Sequence, residues 1–407
     1  MKILVLTQVF YPDNVAVSLF MTDLCQQLAK NGHQVKVIAG QYDYEDASKK
    51  YPNREHWQGV EIIRLKNTGF GKRSNVSRLV DFFSFNLLIL ARLLQLKEKS
   101  YDLIISTTVP PMLSYFVSLF AKAKKIKFCY WAMDLQPELS ISAGMVKKGS
   151  IAAELLTRMG DRVFKTADQI FALDDYMRSH IIKRGGNPDK ITISQLWPVM
   201  SELDETARLK NAFRLQNQWH DKLVVMYSGN HSLVHPVATL LEAAHKLRYR
   251  NDILFVFIGS GVRKAEVTEF KVKHKLNNIV QLPFQPREKV HTSLGAADLQ
   301  VVIMGDGQVG FTHPNKIYGA LFLGKPIVYI GPKESHVTDH LKNIDGNIKV
   351  RHGEGNELAN QITHLCNQIE ELHEIGRHNR AFAQKYLQPE QLKNRLASEI
   401  EQIFAER

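Results

Sequence analysis

The residues with most chemical potential sit just after runs that read as buried strands. After K-F-C-Y-W-A comes M-D-L-Q-P-E, which puts Asp134 and Glu138 immediately beyond buried chain. A carboxylate there is costly unless it is partnered or used. The pair reads either as acid–base groups that orient or deprotonate a hydroxyl, or as a helix start with Asp134 as N-cap and Glu138 in the first turn. After K-L-V-V-M-Y comes S-G-N-H-S: Gly229 admits close backbone approach, and Asn230, His231 and Ser232 supply polar groups. After I-L-F-V-F-I comes G-S-G-V-R-K, where Gly259 and Gly261 are followed by Arg263 and Lys264. Two such loops with cations beside them suit a diphosphate.

Three further loops belong with these. L-P-F-Q-P offers Phe284 either for stacking on a base or as part of a rigid proline turn. M-G-D-G-Q-V-G-F-T-H-P-N-K carries Asp306, His313, Asn315 and Lys316. Pro314 reads as the first helical residue, and Lys316 falls in the first turn, where a cation opposes the helix dipole. That placement makes sense for an anion held by the ammonium and the helix N–H groups together. Gly319, inside the same helix, costs about 1 kcal/mol. Near the start, Q-V-F-Y-P-D-N forms a turn at Pro12, Asp13 and Asn14. It is not G-x-G-x-x-G, so a dinucleotide fingerprint is disfavoured.

The elements that must position these loops alternate strand and helix along 407 residues. K-I-L-V-L-T, Q-V-K-V-I-A, V-E-I-I-R-L, D-L-I-I-S-T, K-F-C-Y-W-A and Q-I-F-A-L-D read as strands of one sheet. The pattern restarts at K-L-V-V-M-Y-S-G and continues through I-L-F-V-F-I, N-I-V-Q-L-P, L-Q-V-V-I-M-G and P-I-V-Y-I-G. This predicts an α/β chain of two doubly wound parallel sheets. The expected organisation is an N-terminal domain over 1–198, a linker over 199–220 and a second domain over 221–385. A C-terminal helix over 386–407 is expected to pack back on the first domain. Ligands of open α/β sheets bind outside the carboxyl ends of the strands, so the crevice between the two domains is the expected site.

Composition narrows the function class. Hydrophobic content of 44% and charged content of 23% describe an ordinary globular chain. Cys25, Cys129 and Cys366 are scattered without C-x-x-C spacing, so neither a zinc nor a redox motif is present. The N-terminus reads as a strand, not a signal peptide. The formal charge of +12 suits anionic nucleotides or anionic lipid, but no aromatic-and-basic motif for nucleic acid appears. Lys72, Arg73 and Arg78 precede a helix carrying Phe82, Phe83 and Phe85. Asp81, Asn86 and Arg92 interrupt that helix, which excludes a span; a basic edge with exposed phenylalanines suits a helix lying in an anionic membrane surface.

T-Q-V-F-Y-P-D-N, Y-S-G-N-H-S-L-V-H-P, F-I-G-S-G-V-R-K, A-A-D-L-Q-V-V-I-M-G-D and H-P-N-K-I-Y, in that order, resemble GT-B glycosyltransferases of family 4, in the bacterial branch that builds exopolysaccharide and colanic-acid-like repeats. The resemblance covers nearly the whole chain. It implies two Rossmann-like domains facing across a cleft and a retaining hexosyl transfer from a nucleotide-diphosphate sugar, commonly a UDP-sugar. No metal or other cofactor is implied. The implied acceptor is a glycan or polyprenyl-diphosphate-linked sugar, and the implied location is cytoplasmic, peripheral at the inner membrane face.

On this resemblance Lys316 contacts the donor diphosphate beside the backbone of Gly229 to Ser232, with Gly259, Gly261, Arg263, Phe284, Asp306, His313 and Asn315 on the donor side. Pro12, Asp13, Asn14, Asp134 and Glu138 fall on the acceptor side, and Asp134 and Lys316 carry the catalysis. Met133 stands where the family usually has a histidine. The family's two glutamates, eight positions apart, fall on Phe311 and Gly319 in one frame and on Val309 and Ile317 in the other. Neither frame is acidic. Gly319 leaves space where a ribose-binding carboxylate would project, and Asp306 and Glu334 are the candidates to replace it. An inactive scaffold of an assembly complex and a nucleotide-sugar epimerase or hydrolase are the alternative functions.

Overall fold

The structure, a computed structural model, describes residues 1–71, 75–98, 100–199 and 210–405. Lys72 and Arg73 of the basic edge, and most of the first half of the expected linker, lie outside the described residues. The chain divides into two compact units: residues 1–196 with 310–313 and 390–407, and residues 197–309 with 314–389.

The first unit is built on eight strands: β1 (Lys2–Leu6), β2 (Gln34–Gly40), β3 (Arg54–Trp57), β4 (Val60–Leu65), β5 (Leu103–Thr107), β6 (Lys127–Trp131), β7 (Gln169–Ala172) and β8 (Ile191–Ile193). Their order is β3-β4-β2-β1-β5-β6-β7-β8, and every pair but β3–β4 is parallel. The second unit holds β9 (Leu223–Ser228), β10 (Ile253–Ile258), β11 (Ile279–Leu282), β12 (Leu299–Ile303), β13 (Ile327–Ile330) and β14 (Ile348–Val350), all parallel in the order β11-β10-β9-β12-β13-β14. The expectation of two doubly wound parallel sheets holds.

The strands read as unbroken apolar runs because both faces are covered. Along β9, Val225 and Tyr227 pack on one face with Phe255, Phe257, Val301 and Ile303. Val224 and Met226 pack on the other with Val256, Ile258, Phe213 and Trp219. Each such side chain contributes about 1.5–3 kcal/mol on burial. The order also reverses direction once in each sheet. The chain steps outward from β1 to β2 and returns as β5 on the other side of β1; likewise β9 to β10 to β11, then β12 beside β9. Those reversals place loops from neighbouring strands at one rim, where a ligand can enter.

Several expectations change. β3 is not among the strands read from the sequence; it pairs antiparallel with β4 across Gln58 (φ 50°) and Gly59 (φ 81°), two positive-φ residues of the kind a tight hairpin needs. Its side chains are exposed or half-buried at a sheet edge, so no apolar pattern announces it. In the helix Asn75–Leu94, Phe82 and Phe85 belong to the core and only Phe83 of the three phenylalanines is exposed. Helical periodicity turns neighbouring residues to different faces. The C-terminal helix Pro389–Ala405 belongs to the first unit from Glu390 onward, where Glu401 accepts from Asn31 Nδ2 (2.9 Å) and lies 2.8 Å from His33 Nε2.

A buried cation fastens the second unit. Arg214, on the helix Ala212–Gln216, donates to Asp298 (2.9 Å) and to the carbonyls of Ala296 (2.8 Å) and Trp219 (3.0 Å). Asp298 also accepts from Val224 N at 2.8 Å, so the pair ties this helix to β9 and to the start of β12. Removing one member strands the other charge. Arg214→Met and Asp298→Ala are each expected to destabilise the protein by about 3–5 kcal/mol, read from urea unfolding followed by tryptophan fluorescence.

Candidate active site

In the second unit the loops after β9 and β10 pack backbone against backbone, and glycine makes this possible. A Cβ on Gly259 (φ +132°) would fall 2.0 Å from the carbonyl oxygen of Gly229, and one on Gly261 (φ +138°) 2.6 Å from that of His231. The loops are laced by His231 N to Ser260 O (2.8 Å) and Arg263 N to His231 O (3.0 Å). A Cβ on Gly229 (φ +126°) would lie 2.7 Å from Lys316 Cε and 3.0 Å from its Nζ. The lysine therefore rests directly against the rim of the glycine loop.

Lys316 begins the helix Lys316–Phe322 with Asn315 as its N-cap. Pro314, expected as the first helical residue, lies ahead of the cap. The ammonium stands 4.9 Å from the centroid of the Tyr227 ring. Such a cation–π contact is worth about 0.5–2 kcal/mol. Tyr227 is itself set by its hydroxyl, which donates to Asn230 O at 2.9 Å, and by stacking on His231, with centroids 5.2 Å apart. Among the described residues no carboxylate pairs with Lys316.

Electrostatics leave one cation here. Burial lowers the Lys316 pKa to about 8. Burial, and then the charges of Lys316 and Lys264, lower His231 to about 4. Burial and Lys316 also lower His235, to about 3. At neutral pH both imidazoles are uncharged, while Lys316 remains mostly an ammonium. His231 is buried, and neither of its ring nitrogens has a hydrogen-bond partner. The rim is thus a set of close backbone turns around the enclosed Lys316 cation, with the charge of Lys264 near by, a place for an anion.

The other donor-side candidates divide. Asn230 is exposed with its Oδ1 beside Gly261, and the half-exposed Phe284 has its ring edge beside Gly259, so both join the cluster. Ser232 is nearby, its Oγ accepting from Val234 N at 3.2 Å. The Arg263 guanidinium turns away to Leu233 O and Glu266 (2.6 Å). Asp306 and Glu334 are exposed on loops after β12 and β13. His313 groups with the first unit, its Nδ1 2.8 Å from Asp174 Oδ2. Tyr227 was not singled out: as an aromatic within a buried strand it carries no sequence signal beyond core.

In the first unit Asp134 follows β6 and, among the described residues, has no hydrogen-bond partner; burial raises its pKa to about 6. It does not cap a helix, because the N-cap position of Glu138–Ser142 is Pro137. Glu138 has a different fate. Burial alone would raise its pKa, but His180 (2.8 Å) and Arg184 (3.1 Å) outweigh it and hold it below the usual range. Arg184 also donates to Gln136 O (2.7 Å), Asp161 (2.7 Å) and Thr157 O (2.9 Å), and so pins the loop that carries Asp134. Asp13 is buried and accepts from Tyr44 N at 3.0 Å. Burial, reinforced by neighbouring Asp43, raises its pKa to about 7 despite that bond. Pro12 is half-buried and Asn14 exposed beside it.

Two α/β units with parallel sheets and a glycine-lined cation on the second define the GT-B class. The structure of Anabaena Alr3699/HepE in complex with UDP and glucose superposes with a TM-score of 0.72, covering 99% of this chain and all of that one at 16% identity. Residues 16–197 match the glycosyl transferase 4-like domain. Two curated relatives extend the likeness. The probable glycosyltransferase WbjE of Pseudomonas aeruginosa is 23% identical over 65% of this chain and 67% of its own. The putative colanic acid biosynthesis glycosyl transferase WcaI of Escherichia coli K12 is 22% identical over 80% and 82%. The chain thus has the GT-B fold, and over residues 16–197 and across its curated relatives it is similar to family 4 glycosyltransferases.

The raised Asp134 pKa has a stability consequence whose sign is fixed. The folded chain holds this proton more tightly than the unfolded chain, so the penalty is absent below about pH 4 and complete above about pH 6. Asp134→Asn is expected to stabilise the fold at pH 7.5 by about 1–2 kcal/mol, allowing for its partial exposure. The gain should vanish by about pH 4 in thermal melts, while transfer is lost at every pH.

Proposed function

We propose that the chain is a retaining hexosyltransferase that takes its sugar from a UDP-sugar and passes it to a glycan or polyprenyl-diphosphate-linked acceptor during cell-surface polysaccharide assembly. The observation that carries this is the enclosed Lys316 ammonium, set between glycine loops without a carboxylate. A diphosphate supplies the missing charge, and backbone N–H groups with Lys316 stabilise it as it leaves. Phe284 offers an exposed ring beside Gly259 for the base. The complex of HepE with UDP and glucose supports a uridine nucleotide, and the likeness to WcaI, a putative colanic acid biosynthesis glycosyl transferase, supports polysaccharide assembly. In this mechanism a donor phosphate oxygen assists deprotonation of the incoming hydroxyl, and Asp134 orients that hydroxyl. Lys316 takes the charge-neutralising role, so transfer is proposed to need no metal and to survive chelation by EDTA.

Calorimetric titration with UDP, GDP and ADP tests the donor site. UDP is expected to bind, and Lys316→Ala to weaken it by roughly 1.5–3 kcal/mol, the range for a charge-assisted contact. Affinity should also fall as pH rises past about 8, by up to tenfold per unit, because a neutral amine no longer pairs with the diphosphate. No nucleotide binding by the wild type at millimolar concentration would refute this donor site.

An anionic membrane is the proposed site of work. No described helix is long and apolar enough to cross a membrane. The helix Asn75–Leu94 instead exposes Val76, Val80, Phe83, Leu87 and Leu94, a stripe at helical spacing along its length. Arg78 and Arg92 lie on the same helix, and the chain's charge of +12 favours anionic lipid. Cosedimentation with vesicles containing phosphatidylglycerol is expected, with little on phosphatidylcholine alone. The double substitution Phe83→Ser, Leu87→Ser should reduce it at least fivefold without changing UDP affinity.

A further inference from the structure

We propose that Tyr227 is a positioning residue for the donor site: the face of its ring holds the Lys316 ammonium at the rim of the glycine loops until an anionic ligand takes it over. This role rests on the donor-site reading and deepens it. Tyr227 and Gly229 stand two residues apart at the end of β9, so strand periodicity turns them to the same side. Both meet the lysine there. Lys316 Nζ lies 4.9 Å from the Tyr227 ring centroid, and a Cβ on Gly229 would fall 2.7 Å from Lys316 Cε. The side chain is thus confined between a ring and a backbone.

The ring cannot move to follow the cation. Tyr227 is fully buried, its hydroxyl donates to Asn230 O at 2.9 Å, and His231 stacks on it with centroids 5.2 Å apart and planes 24° apart. Phe257 on β10 closes a third side, 6.4 Å from Tyr227 and 6.2 Å from His231. A carboxylate in the ring's place would hold the ammonium more tightly, but it would also neutralise it and repel a diphosphate. A ring face attracts a cation through its quadrupole and carries no net charge. It therefore holds Lys316 weakly, leaves its charge uncompensated and does not oppose an incoming anion.

Among the described residues, the titratable and charged groups around the ammonium do not duplicate the ring. The loop after β9 brings His231 and His235, which are uncharged at neutral pH. The start of the helix Lys264–Lys273 brings Lys264 and, at its N-cap, Arg263; neither cation can pair with an ammonium, and Arg263 is committed to Glu266 and Leu233 O. On the lysine's own helix Tyr318 faces His340, with centroids 5.5 Å apart. The helix Ile369–Tyr386 puts Arg380 beside Gly324, past the far end of that helix. β12 and β13 carry no charged residue, and Asp306 and Glu334 on the loops beyond them are exposed. A cation over a ring favours the charged form, so the ring works against the desolvation that lowers Lys316 to about 8. Weakening the ring must lower that midpoint further.

NMR of the full chain with carbon-13 at lysine Cε reads Lys316 directly and without nucleotide, its signal assigned by its loss in Lys316→Arg. Tyr227→Phe keeps the ring and is the reference for phenylalanines bearing one, two and three fluorines at position 227, which keep the ring's shape and weaken its negative face. The Lys316 midpoint should fall stepwise along this series, by about half to one and a half pH units in all. UDP affinity by calorimetry should fall in the same order by about two- to fifteenfold at pH 8, and stay within about twofold at pH 6.5. A midpoint that does not move along the series would overturn the inference, even where UDP affinity changes, because a structural role alone would alter affinity without altering the titration. A falling midpoint without UDP binding by the wild type would refute the donor reading and leave the ring's hold on Lys316 standing; UDP binding with an unmoved midpoint would do the reverse.

Discussion

An enclosed ammonium without a counter-charge is the constraint around which the second unit is organised. Burying a cation is expensive, and proteins ordinarily relieve it with a carboxylate or by losing the proton. Lys316 does the second only in part, since its pKa falls to about 8. The remaining relief comes from the Tyr227 face, a weak partner compared with an anion. The surroundings suit one. Gly229 yields the space that a Cβ would deny, Gly259 and Gly261 let the two loops touch through their backbones, and the uncharged His231 and His235 add no competing charge.

The first unit handles charge in the opposite manner. Glu138 is neutralised by His180 and Arg184, and Asp13 is folded into a shared network with Tyr44, Tyr51 and Asp43. Among the described residues Asp134 has no hydrogen-bond partner, on a loop that Arg184 ties through Gln136 and Glu138 to Asp161 and Thr157 of the helix Ile151–Thr166. A braced loop beside an unneutralised carboxylate suits a group that must meet a substrate in a defined orientation. The acids beside it serve to hold the scaffold.

Resemblance and geometry meet at the missing glutamates. In both alignments the family's acidic positions are apolar or glycine here, and among the described residues no carboxylate pairs with Lys316. Asp306 and Glu334, the candidate replacements, are exposed on their own loops. The proposed donor site therefore rests on cation, glycine and aromatic contacts to a degree that the family pattern would not suggest.

Local periodicity determined the class of fold. Apolar runs of five or six residues alternating with amphipathic helices admit few arrangements other than doubly wound parallel sheets, and the glycine loops after β9 and β10 were legible because glycine at a strand end has a backbone reason. Lys316 was legible for a similar reason, as a cation at a helix start. Partners were not legible. Whether Glu138 is free or paired is decided by Arg184, 46 residues away, and His313 is drawn to Asp174 across 139 residues. Tyr227 looks like any core aromatic until Lys316 is brought over its ring, and Phe82 and Phe85 look as exposed as Phe83 until the helix is docked. Sequence spacing reports what one element can do; which charge meets which partner depends on contacts that only tertiary packing creates.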